Sequence, residues 1–503
     1  MTFPWLTVLG LIPIVGALAL CLPVKGAAKT IGMGFSLATL AAALGVAGLY
    51  LGGTDVTVQV PWITTFGAWW ALGLDGMGLA MVLLTAILTP VVLLAEGKLA
   101  TAAQAGARAY FGLVLLLEGL ALFVFMADDV LLFYLFFEAT LIPMYFLIGV
   151  YGGARRRYAA LKFLLFSLAG GLVMLASVIG LFVWSTRLGG TPSYLLADLA
   201  RLPLGVELGR WLMLGFLIAF IIKAPMVPFH TWLPDAAESA TPGSSVLLVG
   251  ILDKIGTFGM IKFCLGLFPE ASRWIAPVMI VLAVISILYG AAAAVGSQNL
   301  LRLISYTSIS HFGFMVLGIY VFTTQSMGGS IFYMLNHGFS TAALFLVVGM
   351  LIRRRGAAGV FDFGGVQKPA PVLAGAFLIA GLSSLALPGL SSFVSEFLVL
   401  AGAWSREPWL TAVAALGMVL SAVYILLMYQ RTMTGPVTEQ TEAHITSDLS
   451  MTERLVMIPI LGLLLVLGVV PGPALSVIEP TAKAAMTQIG AVDPAPVAVK
   501  GEK

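Results

Sequence analysis

Apolar positions in this chain gather into long runs rather than short alternating blocks. The runs fall at roughly 3–22, 30–51, 74–96, 108–126, 130–149, 158–186, 210–234, 243–268, 274–295, 299–323, 328–352, 370–404, 408–430 and 455–474, bounded by charges, Gly or Pro. About twenty such residues is the length an α-helix needs to cross hydrocarbon. No run alternates as a barrel strand does, and backbone in hydrocarbon must satisfy its own hydrogen bonds, so helix is expected throughout. The expected fold class is an all-α polytopic membrane protein of about fourteen transmembrane helices.

Two runs are interrupted. The seventh reads Ile221-Ile-Lys-Ala-Pro-Met-Val-Pro-Phe-His230 and the twelfth reads Leu385-Ala-Leu-Pro-Gly-Leu390 inside a long apolar stretch. Proline removes a backbone donor and crowds the preceding turn, so both helices should open there, which a membrane tolerates only against protein or a wet cavity. The two breaks lie in segments of opposite direction, the pattern of an inverted-repeat transporter with its pathway between the repeats. Inert proline kinks are the alternative.

The loops add orientation. With the first run starting outside, fourteen of the 26 Lys and Arg fall in inward loops and eight in outward segments, while Lys162, Lys223, Lys254 and Lys262 lie inside runs. The positive-inside rule then places both termini outside. The first basic residue is Lys25, after the first run, so that run reads as a retained span rather than a signal peptide. The outward segments at about 52–73 and 187–209 read as short structured caps, and the last ~25 residues as poorly ordered. The inward stretch from Thr432 to Glu453, with Glu439, Glu442, His444 and Asp448, reads as a solvated loop. A docking surface for a soluble partner or a neighbouring helix is the alternative there.

Composition mainly removes possibilities. Hydrophobic residues make up 60% of the 503 and charged residues 10%, with a mean hydropathy of +1.05; soluble domains have about 45–50% and ~25%. A soluble enzyme is excluded. The net charge of +3 suggests no nucleic-acid partner. Cys21 and Cys264 lie in apolar runs and read as small core residues, not a disulfide framework or metal site. With no P-loop, dinucleotide fingerprint or metal-ligand cluster, the energy for any pumping must come from a partner or an ion gradient.

The candidate chemistry lies in Glu118, Glu138, Lys223, Asp253, Lys254, His311, His337 and Glu396, all near the middle of predicted spans. A charge at a helix centre costs about 2.5–3.5 kcal/mol on insertion scales, so such groups need partners or a purpose. Each can gain or lose a proton, burial disfavours its charged form, and a movable opposite charge restores it, which is the chemistry of a proton relay. Bland roles compete: a helix–helix anchor for Glu138, a structural counter-charge for Asp253, carbonyl-bonded core residues for His311 and His337, and an N-terminal charge on a half-helix for Glu396. Haem ligation by the histidines is disfavoured, there being no Cys-x-x-Cys-His and no second His pair. Lys223 is the expected partner of Glu138, while Lys162 and Lys262, nearer the run ends, are expected to snorkel.

Several stretches resemble a known family. Leu131-Leu-Phe-Tyr-Leu-Phe-Phe-Glu-Ala-Thr-Leu-Ile-Pro-Met144 with Gly152-Gly-Ala-Arg-Arg-Arg-Tyr-Ala-Ala-Leu-Lys-Phe163, then Lys223-Ala-Pro-Met-Val-Pro-Phe-His-Thr-Trp-Leu-Pro-Asp235, Ser308-Ile-Ser-His-Phe-Gly-Phe314, Leu335-Asn-His-Gly-Phe-Ser340 and Ser392-Phe-Val-Ser-Glu-Phe397 are similar to the M-type antiporter-like membrane subunit of bacterial NADH:quinone oxidoreductase, respiratory complex I. The resemblance implies two inverted five-helix repeats with broken helices seven and twelve. It divides the chain into N-terminal helices and outward cap (1–107), a first repeat (108–268), a second (274–430), and an inward loop, last helix and outward tail (431–503).

It further implies a proton-translocating subunit in which Glu138, Lys223, Lys254, His311, His337 and Glu396 transfer protons, with Asp253 and Glu118 as further candidates. Glutamate at 396, where L-type and N-type relatives usually carry lysine, favours the M type. The implied setting is the bacterial plasma membrane. This chain would hold no cofactor and no metal; FMN, iron–sulfur clusters and quinone would sit in partner subunits. Those partners would be L-type and N-type neighbours and a hydrophilic arm. A subunit of a cation/proton antiporter or membrane-bound hydrogenase, or a non-pumping scaffold, are the alternatives. Two positions depart from the family pattern: Ala237 stands where relatives often have histidine, and Asp253 where the usual Leu-Leu-Lys would put leucine.

Overall fold

The computed structural model describes residues 3–22, 27–102, 106–187 and 192–494, so Lys25, Lys500 and Lys503 of the orientation count lie outside the described residues. Helix occupies every apolar run. The first part contains α1 (Trp5–Ala19), α2 (Ala28–Leu51), the hairpin β1 (Val58–Ile63) and β2 (Ala68–Leu72), α3 (Gly76–Ala102), α4 (Ala107–Met126), α5 (Val130–Ala139), α6 (Leu141–Tyr151) and α7 (Arg156–Arg187). There follow α8 (Leu196–Leu199), α9 (Val206–Lys223), α10 (Trp232–Ser239), α11 (Pro242–Ser245) and α12 (Lys254–Gly259), the last flanked by π-helical turns at Val246–Leu252 and Met260–Leu265. The remainder is α13 (Pro269–Gly296), α14 (Leu300–Tyr320), α15 (Thr324–Arg355), α16 (Pro371–Ser384), α17 (Ser391–Trp404), α18 (Pro408–Met433), α19 (Glu439–His444), α20 (Met451–Val469) and α21 (Gly472–Ile489). Among the described residues, ten helical segments are long and apolar enough to cross a membrane by length and composition.

Both expected breaks are present, and other elements repair them. Past Lys223, Pro225 and Pro228 end α9; the indole of Trp232 donates to the freed carbonyl of Ile222 (3.0 Å), and the amide of Val227 donates to Ser286 Oγ on α13 (3.0 Å). In the second break Ala386 and Gly389 take positive φ, and Asn336 on α15 donates to the carbonyl of Ser391 (3.0 Å) and to Ser395 Oγ (2.8 Å). A third interruption falls directly after Glu138. Pro143 cannot donate to the carbonyl of Ala139 four residues back, and Thr140 Oγ1 caps the carbonyl of Phe137 instead (2.7 Å).

The two longest helices, α7 and α15, have 32 residues each and lie along the broken helices, α7 on α9 and α15 on α17. Their settings differ. In α15 the apolar window is 94% buried, in α7 only 39%. The centre of the protein is therefore α15, and its polar residues face other helices. At one end the hairpin joins the 192–199 segment: Tyr194 donates its amide to the carbonyl of Gly67, and Val130 donates to that of Tyr194.

Four expectations are corrected. Of the last ~25 residues, 479–489 are not poorly ordered but belong to α21, because Ile478, Ala482, Ala485, Met486 and Ile489 make one buried face at helical spacing, while 495–503 lie outside the described residues. The 432–453 stretch is solvated at Glu439, Glu442 and His444 but is not a free loop throughout: Asp448 accepts from the first amides of α16 at Val372 and Leu373 (2.8 and 2.9 Å), and Glu453 forms a two-pronged pair with Arg354 (2.8 and 2.7 Å). Lys162 and Lys262 do not snorkel, since each meets a carboxylate distant in sequence, Asp235 and Asp128, both at 2.7 Å. Cys264 is a buried core residue, but Cys21, at the end of α1, is exposed.

Where α12 crosses the end of α9, Gly256 permits backbone contact. A Cβ there would lie 2.5 Å from both the nitrogen of Ala224 and the oxygen of Phe220. Backbone atoms cannot give way as a side-chain tip can. Gly256→Ala is therefore expected to lower stability by about 1–3 kcal/mol, the usual cost of overpacking, measured as an earlier thermal transition in detergent; an unchanged transition would contradict this packing.

Candidate functional site

The site is a row of ionisable groups, buried except for the half-buried Glu138, running from the end of α5 to the start of α17. It begins at Glu138, whose Oε1 rests on α7. Gly171 makes the room, because a Cβ there would fall 1.4 Å from that oxygen. Lys223, the last residue of α9, extends to 5.6 Å from the ring centre of Phe137 and 5.3 Å from that of Phe163. Cation–π contact of this kind is worth up to about 2 kcal/mol when desolvated, so the rings shelter the ammonium without neutralising it. Among the described residues neither Lys223 Nζ nor Glu138 Oε1 has a hydrogen-bond partner. The pair expected from sequence is thus not a contact ion pair. Glu138 and Asp253 both act on Lys223 through space.

Asp253 and Lys254 sit where the first π-helical turn gives way to α12. The wide turn closes with the amide of Asp253 donating to the carbonyl of Leu248 (3.0 Å), and such turns often occur at functional sites. Lys254 folds back to donate to the carbonyl of Val249 (2.6 Å) and contacts His337 Nδ1 on α15 (2.7 Å). Its ammonium lies 5.2 Å from the ring centre of Phe312. Asp253 is fully buried, and neither carboxylate oxygen has a hydrogen-bond partner among the described residues.

Beyond Lys254 the row follows α15. The ring of His311 on α14 lies 5.2 Å from that of His337 and 5.7 Å from that of Tyr333, centre to centre, and beside Ser384 at the end of α16. Among the described residues neither nitrogen of His311 has a hydrogen-bond partner of good geometry, although the backbone of Ser384 lies alongside the ring. Tyr333 donates a short hydrogen bond to Glu396 Oε1 on α17. The structure therefore brings seven of the eight candidates together, with His337 rather than His311 next to Lys254. Glu118 stands apart, buried on α4 beside Thr89 of α3.

Two ion-pair groups flank the row. Near the start of α7 and α14, Asp235 and Glu238 of α10 bind Lys162, Arg302 and Arg155 at 2.7–3.0 Å. His230 has its ring 4.7 Å from that of Tyr289. At the other end of α12, the Lys262–Asp128 pair lines a cavity of about 390 Å³ together with Asp75, Thr481 and Gln488. Among the described residues no three His, Cys, Asp or Glu side chains converge as metal ligands do.

Comparison with known proteins fits this geometry. Residues 127–423, more than half of the chain, match the family described as NADH:quinone oxidoreductase/Mrp antiporter, TM. The chain belongs to this NADH:quinone oxidoreductase/Mrp antiporter family. NADH-quinone oxidoreductase subunit M of Mycobacterium tuberculosis (strain ATCC 25618 / H37Rv) is 47% identical, covering 98% of this chain and 96% of the relative. A chain of respiratory complex I from Thermus thermophilus with bound NADH is 33% identical with a TM-score of 0.87, covering 96% of this chain and 100% of that one. A chain of the Mrp complex from Dietzia sp. DQ12-45-1b shares the fold alone, at 22% identity and TM-score 0.85.

In this family member the sequence reading missed Tyr333 and Asn336. A signal was available: Tyr333 precedes His337 by four residues, one helical turn on the same face. It also missed Glu96 on α3, a fully buried carboxylate that accepts from the first turn of α11 at Gly243 (2.7 Å), because Glu96 lies at the edge of its apolar run. Tyr333→Phe removes the donor to Glu396 and leaves a buried carboxyl oxygen unbonded, at a cost of about 1–3 kcal/mol. The expected result is a lower melting temperature in detergent, which Glu396→Gln in the same background should partly restore; equal melting of Tyr333→Phe and wild type would show that the bond contributes nothing.

Proposed function

We propose that this chain is the M-type proton-translocating membrane subunit of a bacterial NADH:quinone oxidoreductase. The observation that carries the proposal is the row Glu138, Lys223, Asp253, Lys254, His337, His311, Tyr333, Glu396, which links the breaks of two membrane helices. At about 2.5–3.5 kcal/mol for each charge held at mid-membrane, so many ionisable groups are too costly for a scaffold that only braces its neighbours.

Redox chemistry on this reading occurs in other subunits, which hold FMN, iron–sulfur clusters and quinone. L-type and N-type neighbours and the hydrophilic arm are its partners in the complex, and both termini face outward. The 108–268 and 274–430 segments act as inverted repeats, a division supported by the matched pairs α7 with α9 and α15 with α17.

The mechanism is electrostatic. A signal from a neighbour moves the Glu138 carboxylate relative to Lys223. At an effective dielectric constant of ~20, a unit charge is worth about 4 kcal/mol at 4 Å and proportionately less farther off, so bringing the carboxylate into contact changes proton occupancy by up to roughly a thousandfold. Lys223 loses or gains its proton accordingly, and the change passes to Lys254 and its bonded partner His337. His311 and Tyr333 continue the row to Glu396, with water bridging the longer gaps.

Glu138→Gln and Lys223→Ala should each leave an assembled complex that still oxidises NADH but loses most proton pumping in liposomes. Lys254→Met should do the same. Full proton-to-electron stoichiometry in all three variants would overturn the proposal and favour a scaffold.

A further inference from the structure

Asp253 is a carboxylate without a counterpart in the expected Leu-Leu-Lys pattern, and the structure gives it no conventional structural role. It caps no helix by its side chain, forms no contact ion pair and accepts no hydrogen bond among the described residues, although it is fully buried. A bare carboxylate in such a place needs positive charge nearby. Two lysines supply it. Lys254 is its neighbour in sequence, and Lys223 is brought near by the crossing at Gly256, three residues on, which packs on the backbone of Phe220 and of Ala224, the residue after Lys223. Both ammonium groups are near enough to act on the Asp253 carboxylate through space.

We infer that Asp253 is the shared counter-charge of Lys223 and Lys254, a positioning residue that makes the two lysines compete for one carboxylate and so ties release of a proton from one to retention by the other. The inference rests on the proton-transfer reading above. Glu138, Lys223, Asp253 and Lys254 together are neutral when all are ionised. Withdrawal of Glu138 leaves two ammonium groups facing one carboxylate. The surplus proton then leaves from Lys254, because that Nζ alone of the two has a bonded acceptor, His337 Nδ1. In that step the N–H bond of Lys254 breaks, its electron pair stays on Nζ, and the proton binds the imidazole. The charged and titratable groups around this unit are Glu138 from α5, Lys223 from α9, His337 from α15 and His311 from α14.

The test is the pH profile of NADH-driven proton pumping by the intact complex in liposomes. Asp253→Asn removes the shared negative charge while keeping the shape, so both lysines hold their protons less well. The alkaline limb of the profile should move to lower pH by about one unit, and Asp253→Glu should restore the wild-type profile. Assembly is checked by co-purification of the other subunits, and Asp253→Leu is measured in the same way in case the asparagine variant fails to assemble. An Asp253→Asn profile superimposed on wild type overturns the inference, as does a glutamate variant that behaves like asparagine. So does failure of both neutral variants to assemble, which would make Asp253 a structural residue. Lys254→Met separates this inference from the reading beneath it. If that variant does not pump while Asp253→Asn is unshifted, only the role of Asp253 falls; if Lys254→Met pumps normally, the relay itself falls.

Discussion

Polar groups inside hydrocarbon must find partners within the chain, and most of this structure follows from that requirement. Where proline opens α9, the exposed carbonyl of Ile222 is taken by Trp232 and the amide of Val227 by Ser286 of α13. Where α17 restarts, Asn336 of α15 holds the first turn. Each unpaired backbone group in such a place would cost several kcal/mol. The breaks persist because a different helix repairs each one, and the repair locks the broken helices to α13 and α15. The ionisable row occupies the space so created.

The row does not obey the same rule. Glu138 Oε1, Lys223 Nζ, both oxygens of Asp253, both nitrogens of His311 and Nε2 of His337 have no hydrogen-bond partner among the described residues. A protein selected only for stability would replace such groups by apolar ones at little cost. In the ion pairs that flank the row the opposite holds. Asp235, Glu238, Lys162, Arg302 and Arg155 are fully paired, as are Arg354 with Glu453 and Lys262 with Asp128. Rigid ion pairs hold the helix ends, and under-satisfied groups remain between them, free to exchange protons.

Much of this could be read from particular residues. Pro225, Pro228 and Pro388 announced the two breaks, because the missing amide is a local property. Glu138, Lys223, Lys254, His337 and Glu396 announced themselves by standing in apolar runs. Pro143 carried an equally local signal for the break after Glu138, but continuous apolar flanks masked it. The buried face of α21 was hidden by its Ala and Pro content, which resembles that of a loose tail. The partners of Lys162 and Lys262 could not be read at all. Asp235 is 73 residues from Lys162, and only folding sets which carboxylate a lysine meets.

By itself, then, the order of residues determined where helices form, where they break and which side chains lie at mid-membrane, because hydrophobic period, proline geometry and the cost of charge act over a few turns. Tertiary structure decided how those groups connect. It set α15 rather than α7 at the centre, placed His337 against Lys254 with His311 beyond, added Tyr333 as the link to Glu396, left Glu118 aside, and packed α12, just after Asp253, on the end of α9 that carries Lys223. Coulombic and hydrogen-bond energies depend on distances of a few ångströms between helices, and those distances exist only after the helices have packed.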